Sequence, residues 1–543
     1  MTSRDLESDV FDFIIVGAGP AGAALSSRLA SYLPTHSILL LEAGPPSDST
    51  PQALYDRYTA FRTPGLNYGY QTTPQAALNN QVIDYSRGKG LGGTSLINFA
   101  IWNRGARDDY DEWARLVGDE KFAWKNVKPI YDSIENFHNP GYEDAKSKYV
   151  RIEDEAHGQE GLVSVEFAQR CEEHLPDLMS GIEEFGWKIN RDVNSGDPIG
   201  VGFTPATARE GARVTAMTAY LGDVPANLKI RTGVQVARVL FDGKKAVGVE
   251  SVDGEKIFGS KEVILSAGAL DTPKVLLLSG VGPASELQAL DIPVVQDLAG
   301  VGRNLQDHCH YPISAVLKEG TGPLSYVNNS YVLGFLKDVA LYDTDEFRSL
   351  APETKVHLQK GTVPCWELGT GVPKLGPPPP GPPRQYLTSI GVLMNPQSRG
   401  VVSLRSADPR EPALFDPKVM SHPYDRKVLI TAGKRILEFM KTPSIAKTIE
   451  GPANMPASES DEDILAFIKQ NLKSTWHMSC TCKMGSEEDE SAVVNSDFAV
   501  KKVQGLRVVD LSVLPALVNA HPVGAGYLMG EMVARVFAAL YQV

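Results

Sequence analysis

Residues 11–42 read FDFIIVGAGPAGAALSSRLASYLPTHSILLLE. An apolar β-type run, Phe11 to Val16, leads into Gly17-Ala18-Gly19-Pro20-Ala21-Gly22. An alanine- and leucine-rich helical stretch, Ala23 to Ala30, follows, and a second apolar run, Ser37 to Leu41, ends at Glu42. The order is strand, turn, helix, strand, with G-x-G-x-x-G at the turn and an acid 20 residues past the last glycine. Gly17 permits a sharp turn, Gly19 lets backbone approach a pyrophosphate, and Gly22 lets the helix pack on the strand. The helix N-terminus offers unpaired N–H groups to phosphate, and Glu42 is placed to bind ribose hydroxyls. The glycine motif alone is a weak signal; in this context it predicts a dinucleotide-binding α/β unit.

Further along, residues 87–105 read RGKGLGGTSLINFAIWNRG, with five glycines in 19 residues. Gly92-Gly93-Thr94-Ser95 brings hydroxyls and free backbone N–H groups together, a pattern suited to a second cofactor cradle. Leu228 to Leu240 reads as two short strands, continued by Val247-Gly248-Val249 after a turn at Asp242-Gly243. Glu262 to Leu265 reads as a short buried strand. Asp461 to Leu472 is amphipathic, with Ile464, Phe467, Ile468 and Leu472 on one face and Ser460 as N-cap. A last helix is expected from Pro522 to about Leu540, with the proline in its first turn. In residues 371–384, GVPKLGPPPPGPPR, the four consecutive prolines cannot enter a helix or a central strand. The stretch reads as a surface loop between strands; a protein-binding proline motif or a lid over a substrate channel is the alternative.

Composition narrows the functional classes. The 543 residues are 42% hydrophobic and 22% charged, which excludes dominant disorder. The 49 glycines and 37 prolines follow no G-X-Y period, which excludes collagen. A net charge of −13 without a Lys/Arg-rich run argues for solubility and against nucleic-acid partners. Five cysteines, Cys171, Cys309, Cys365, Cys480 and Cys482, do not make a disulfide scaffold, and Cys480-x-Cys482 lacks the second pair that a zinc site needs. Residues 1–10 show no basic and apolar leader pattern, so an intracellular, cytoplasmic location is expected. The uncharged run between Asp510 and Glu531 is broken by Pro515, Asn519, His521 and Pro522, so no membrane span is expected there.

Four motifs, in order, resemble those of the glucose-methanol-choline (GMC) oxidoreductases. Gly88-Lys89-x-Leu91-Gly92-Gly93-Thr94-Ser95, with Asn98, Trp102, Gly105 and Asp111, is similar to the first family signature. Residues 268–282, GALDTPKVLLLSGVG, are similar to the second. Trp476-His477-x-x-x-Thr481-Cys482-x-Met484-Gly485 resembles the histidine motif, and residues 506–531, LRVVDLSVLPALVNAHPVGAGYLMGE, resemble the closing flavin motif. The resemblance covers nearly the whole chain.

It implies an α/β fold: a Rossmann-like FAD-binding domain and a substrate-binding domain built on a large, mainly antiparallel sheet flanked by helices. Residues 1–158, 215–310 and 475–543 are expected to form the first, and 159–214 and 311–474 the second. Gly17, Gly19, Pro20, Ala21, Gly22, Glu42 and Ala43 would hold the ADP half of FAD, with Gly93 and Thr94 in the second cradle. Asn98, Phe99, Ala100 and Ile101 would lie along the flavin ring, and Val236 at the adenine. Asp510 and Leu511 would meet the phosphate–ribityl region, and Pro522 and Val523 the pyrimidine end. The family's covalent-flavin branch has histidine where Ile97 stands, so non-covalent FAD is expected. Its photodecarboxylase branch has cysteine where Met394 aligns, which argues against photochemistry.

The same resemblance makes His477 the general base and His521 the residue that positions the substrate. A His/His pair is similar to aryl-alcohol oxidases and glucose oxidases, whereas many relatives carry asparagine at the second position. The implied reaction is oxidation of a primary or activated (aromatic or allylic) alcohol to an aldehyde, with hydride passing to flavin N5 and oxygen or a quinone as acceptor. Imidazole suits the base role because its ordinary pKa is about 6.5. The helix start after His521 would disfavour that ring's charged form. Phe99 and Trp476 match aromatic positions that flank the substrate; core packing is their alternative role. A non-redox lyase or cyclase that keeps FAD structurally is the competing function, and a scaffold read from the proline run is a third. No oligomeric state is implied. The usual glycine before Thr481 is Cys480 here, read as a small buried replacement.

Overall fold

The first unit forms as its residues dictate. Strand β1, Val10–Val16, is followed by helix α1, Pro20–Tyr32, and strand β2, Ile38–Leu41. β1 and β2 run parallel, with Phe13 opposite Ile38 and Val16 opposite Leu41. Phe13, Ile14, Ile15 and all of β2 are fully buried, as strands covered on both faces must be. Gly17 adopts φ 102°, and a Cβ there would lie 2.4 Å from the Ser266 carbonyl oxygen. Only glycine satisfies both conditions. A Cβ on Gly22 would lie 1.9 Å from the Gly17 carbonyl oxygen, so α1 reaches the end of β1 only without a side chain there. The computed structural model describes residues 10–47, 63, 65–138, 145–152, 156–168, 175–321, 331–372 and 384–541. The proline run at 377–383 and Cys171 lie outside them.

Distant segments complete a seven-stranded sheet around this unit. Leu228–Arg231 pairs parallel with β2, and Lys256–Leu265 pairs parallel with β1. The expected four-residue strand at 262–265 is thus 10 residues long. Its first part pairs with antiparallel Lys245–Ser251, and its last part with parallel Leu506–Val508. Val236–Asp242 closes that edge. The C-terminal helix, Val523–Tyr541, is long and apolar enough to cross a membrane, but 67% of its most apolar window is buried within the fold. It packs on α1, and its buried Glu531 pairs with Arg28 at 2.7 Å and Arg535 at 2.8 Å. Pro522 falls just before this helix, where its carbonyl accepts from Gly526 N–H; it is a capping residue rather than part of the first turn.

A second seven-stranded sheet runs in the order Ile449–Asn454, Cys309–Leu317, Tyr386–Leu393, Trp366–Val372, Tyr331–Leu336, Gly200–Thr204. Its neighbours are antiparallel, and Lys473–Ser474 adds to the start of Cys309–Leu317. Helix Pro423–Met440 packs against it, with the Tyr311 hydroxyl donating to the Leu429 carbonyl at 2.7 Å. A four-stranded sheet takes Glu135–His138, Val163–Glu166, Ala206–Arg209 and Ala212–Arg213, from both sides of residue 158.

Beside it lies a buried charged group. Arg104 and Glu135 are both fully buried and paired, and Asp132 and His157 join them. Burial pushes the Glu135 carboxyl up, but Arg104 and His157 more than offset this and hold it at about 2. Glu135 also accepts from the Trp102 indole N–H at 2.6 Å, which anchors the chain just after residues 98–101.

Candidate active site

One cavity opens at the ends of β1 and β2 and runs to the C-terminal segments around residues 475–478 and 521–523. It is lined at one end by Gly17, Gly19, Pro20, Ala21, Glu42, Ala43 and Val236. Its middle is lined by Gly93, Thr94, Asn98, Phe99, Ala100, Ile101, Asp510, Leu511, Pro522 and Val523. Trp476, His477 and His521 line it as well. Of the residues that the resemblance assigns to FAD, substrate or catalysis, only Gly22 is absent from the wall, because it packs beneath it against Gly17.

The two glycine-rich loops meet across this space. Gly93 adopts φ 55°, and a Cβ there would lie 2.6 Å from Gly19 Cα. Gly19 is the N-cap of α1 and provides no side-chain cap, so the first N–H groups of α1 remain for a ligand. Glu42 is buried and ties loops together, accepting from Ala18 N at 3.0 Å, Gly44 N at 2.8 Å and Gly90 N at 3.2 Å. Asp510 accepts from Gly268 N at 2.9 Å, Thr272 Oγ1 at 2.6 Å and Ser512 N at 2.7 Å, and so joins the second motif to the closing one. The Asn98 side-chain carbonyl accepts from Ala100 N at 3.0 Å and Arg213 at 2.8 Å, which fixes Ala100 at φ 58°.

His477 and His521 face each other with ring centroids 4.8 Å apart. His477 Nδ1 lies 2.9 Å from Nδ1 of His308, and its backbone N–H donates to Asp307 Oδ1 at 2.8 Å. Burial, then the neighbouring His521, His308, Arg87 and His310, holds the His477 imidazole well below its usual range. Burial, then His521, pushes His308 down to about 3. His521 Nε2 lies 3.1 Å from Oε1 of Glu367, a fully buried acid whose Oε2 has no hydrogen-bond partner among the described residues. His521 therefore has a buried carboxylate as its side-chain partner, beside the helix that begins at Val523.

Trp476, beside the candidate base, adopts φ 58°, a conformation that bulky residues rarely take. Three contacts hold it. Its backbone N–H donates to Ser474 Oγ at 2.7 Å, its carbonyl accepts from Arg87, and its indole N–H donates to Asp84 Oδ1 at 2.7 Å. Its ring lies 6.1 Å from that of Phe99. Cys480 adopts φ 72° and is fully buried, so its backbone takes the shape that glycine adopts without strain. Cys480→Gly and Cys482→Gly each delete a fully buried thiol. Only the first relieves a left-handed backbone, so Cys480→Gly should be the milder change by about 1–2 kcal/mol. Urea unfolding of the two variants measures the difference, and equal losses would contradict the strain.

His308, Asp307, Arg87 and Glu367 were not singled out from sequence. The Asp307-His308-Cys309-His310 cluster carried a signal, since four titratable residues in a row seek partners. So did Glu367, a lone acid in the apolar strand Trp366–Val372.

Comparison with known proteins places this geometry. The family models for GMC oxidoreductases match residues 11–310 and 396–530. The chain belongs to the GMC oxidoreductase family. It is 32% identical to an alcohol dehydrogenase [acceptor] of Pseudomonas putida, over 97% of this chain and 95% of that one. It is 31% identical to the mitochondrial choline dehydrogenase of Mus musculus, over 97% and 89%. Among solved structures, a fungal aryl-alcohol oxidase superposes with a TM-score of 0.87 at 25% identity, over 98% of this chain and 100% of that one. As a GMC oxidoreductase the protein is an FAD-dependent enzyme acting on CH–OH groups. The cavity fits that cofactor. Its glycine cradle would be filled by added Cβ atoms, the N-terminus of α1 is uncapped, and the buried Ser266 Oγ in its wall has no partner among the described residues.

Proposed function

We propose that the protein oxidises a primary or activated alcohol to an aldehyde, with His477 as the base and His521 holding the hydroxyl. The observation that carries this is the pair of imidazoles, 4.8 Å apart between centroids, in the wall of the cavity that holds the dinucleotide turn. FAD, when bound, supplies the hydride acceptor. The Gly17–Gly22 loop and the first turn of α1 would bind its pyrophosphate, and Asn98–Ile101 would lie along its ring. Ile97, an apolar residue, leaves that binding non-covalent.

The protein's own task is to place the hydroxyl and take its proton. His477 is neutral at pH 7 because burial disfavours its charged form, so its lone pair is available. His521, steadied by Glu367, would orient the alcohol oxygen toward it. Phe99 and Trp476 supply aromatic surface in the same cavity wall, a lining suited to an aromatic or allylic alcohol. A quinone or oxygen would take the electrons at the end of the cycle. Incubation with an alcohol and a quinone acceptor should yield one aldehyde per quinone reduced. Acceptor reduction without aldehyde would sink the reading.

The sign of the pH dependence follows from the lowered pKa. A base must be deprotonated, and His477 stays deprotonated below the usual imidazole range. The rate of flavin reduction should therefore hold from pH 8 down through about 6.5, the ordinary imidazole value, and fall only below it. Stopped-flow rates across this range provide the check, and a protonation limb centred at or above that value would contradict it.

A further inference from the structure

The contact between His308 and His477 poses a question of proton placement. The facing atoms are Nδ1 of each ring, 2.9 Å apart, with the rings at 78°. One of these nitrogens must carry the proton and the other accept it. If His308 donates, neutral His477 carries its single proton on Nε2, and no ring nitrogen is left to take a proton from substrate. If His477 donates from Nδ1, its Nε2 keeps a lone pair for the cavity that the ring lines.

We infer that His308 is a positioning residue: it accepts the Nδ1–H of His477 and so fixes the tautomer in which His477 Nε2 is basic. This rests on the reading of His477 as the base. The backbone fixes the approach of the two rings. Gln306 and Ser479 pair as antiparallel neighbours, Thr475 N–H donates to the His308 carbonyl at 2.8 Å, and Asp307 accepts from His477 N and from Ser474 Oγ. The His308 ring is fully buried, and its Nε2, which carries the proton when Nδ1 accepts, has no partner among the described residues, so the hydrogen bond to His477 orients the ring. Burial also keeps His308 neutral, as an acceptor must be. When His477 takes the substrate proton on Nε2, the Nδ1–H···Nδ1 bond becomes charge-assisted and stronger. His308 thus does for His477 what a carboxylate does for histidine in other enzymes, without adding a negative charge beside the cofactor.

The test reads the tautomer directly. Histidine-selective ¹⁵N labelling of the holoenzyme, with the His477 signals assigned by their loss in His477→Ala, shows which ring nitrogen bears hydrogen. The expected result is Nδ1–H in the wild type and a shift toward Nε2–H in His308→Leu, which has no acceptor. In His308→Asn, whose amide oxygen stands near the lost Nδ1, the Nδ1–H form should return. Flavin reduction should fall about 10²-fold in His308→Leu and recover most of that in His308→Asn, since a wrong tautomer removes the base. A wild-type His477 in the Nε2–H form, or an unchanged tautomer in His308→Leu, overturns the inference even if His477→Ala abolishes reduction. An unchanged reduction rate in His477→Ala would instead overturn the base assignment, whatever the tautomer.

Discussion

His477→Ala should slow reduction of the bound flavin by an alcohol by about 10²–10⁴-fold, the usual size of a general-base contribution. The substitution removes the ring that faces His521 across the cavity. It leaves the His477 backbone N–H on Asp307, so the surrounding chain stays anchored. The cofactor cradle at Gly17–Gly22 and Gly93 lies on other segments, so FAD content, read from the visible absorbance per protein, should match the wild type. His521→Ala should cost less, because that residue positions the alcohol and leaves the base in place. A His477→Ala rate within a few-fold of wild type, at full FAD content, would remove His477 from the role.

The second large effect concerns the cradle itself. In Gly93→Ala the new methyl carbon would lie 2.6 Å from Gly19 Cα and 3.3 Å from Gly19 N, on a residue already at φ 55°. The first contact is with backbone and has no rotamer to escape into, so the two glycine loops must separate. A shift of this kind in a packed region costs about 1–3 kcal/mol, and tenfold in affinity corresponds to about 1.4 kcal/mol. FAD should therefore bind roughly 10- to 100-fold more weakly. Flavin release on dilution, followed by fluorescence, measures this. Substituting Gly211 the same way is the control, since nothing lies within 4 Å of a Cβ there. It should leave FAD binding unchanged.

The parts of the fold that are local in sequence were legible there. The strand–turn–helix–strand of residues 11–42 is written in apolar periodicity and in Gly17 and Gly22, whose close backbone contacts admit no side chain. Ser460 caps its helix as read, accepting from Asp463 N at 3.1 Å. What the sequence concealed is pairing across long separations. His308 and His477 are 169 residues apart, and Glu367 and His521 are 154 apart. No local pattern links them; only the meeting of the second sheet with the C-terminal segments does. Strand Lys256–Leu265 was under-read for a similar reason. Its polar first half looks like loop, and pairing with Lys245–Ser251 makes it strand. Cys480 shows a further limit. Its identity suggested a harmless small residue, and its φ of 72° shows a backbone shaped for glycine.

The central claim is that an alcohol delivers hydride to the flavin held in this cavity. Anaerobic mixing of the FAD-loaded protein with a panel of benzylic, allylic and aliphatic primary alcohols, followed through the visible flavin band, tests it most directly. Bleaching by at least one activated alcohol is the predicted result. A spectrum that stays oxidised with every alcohol, in protein carrying its full complement of FAD, would contradict it.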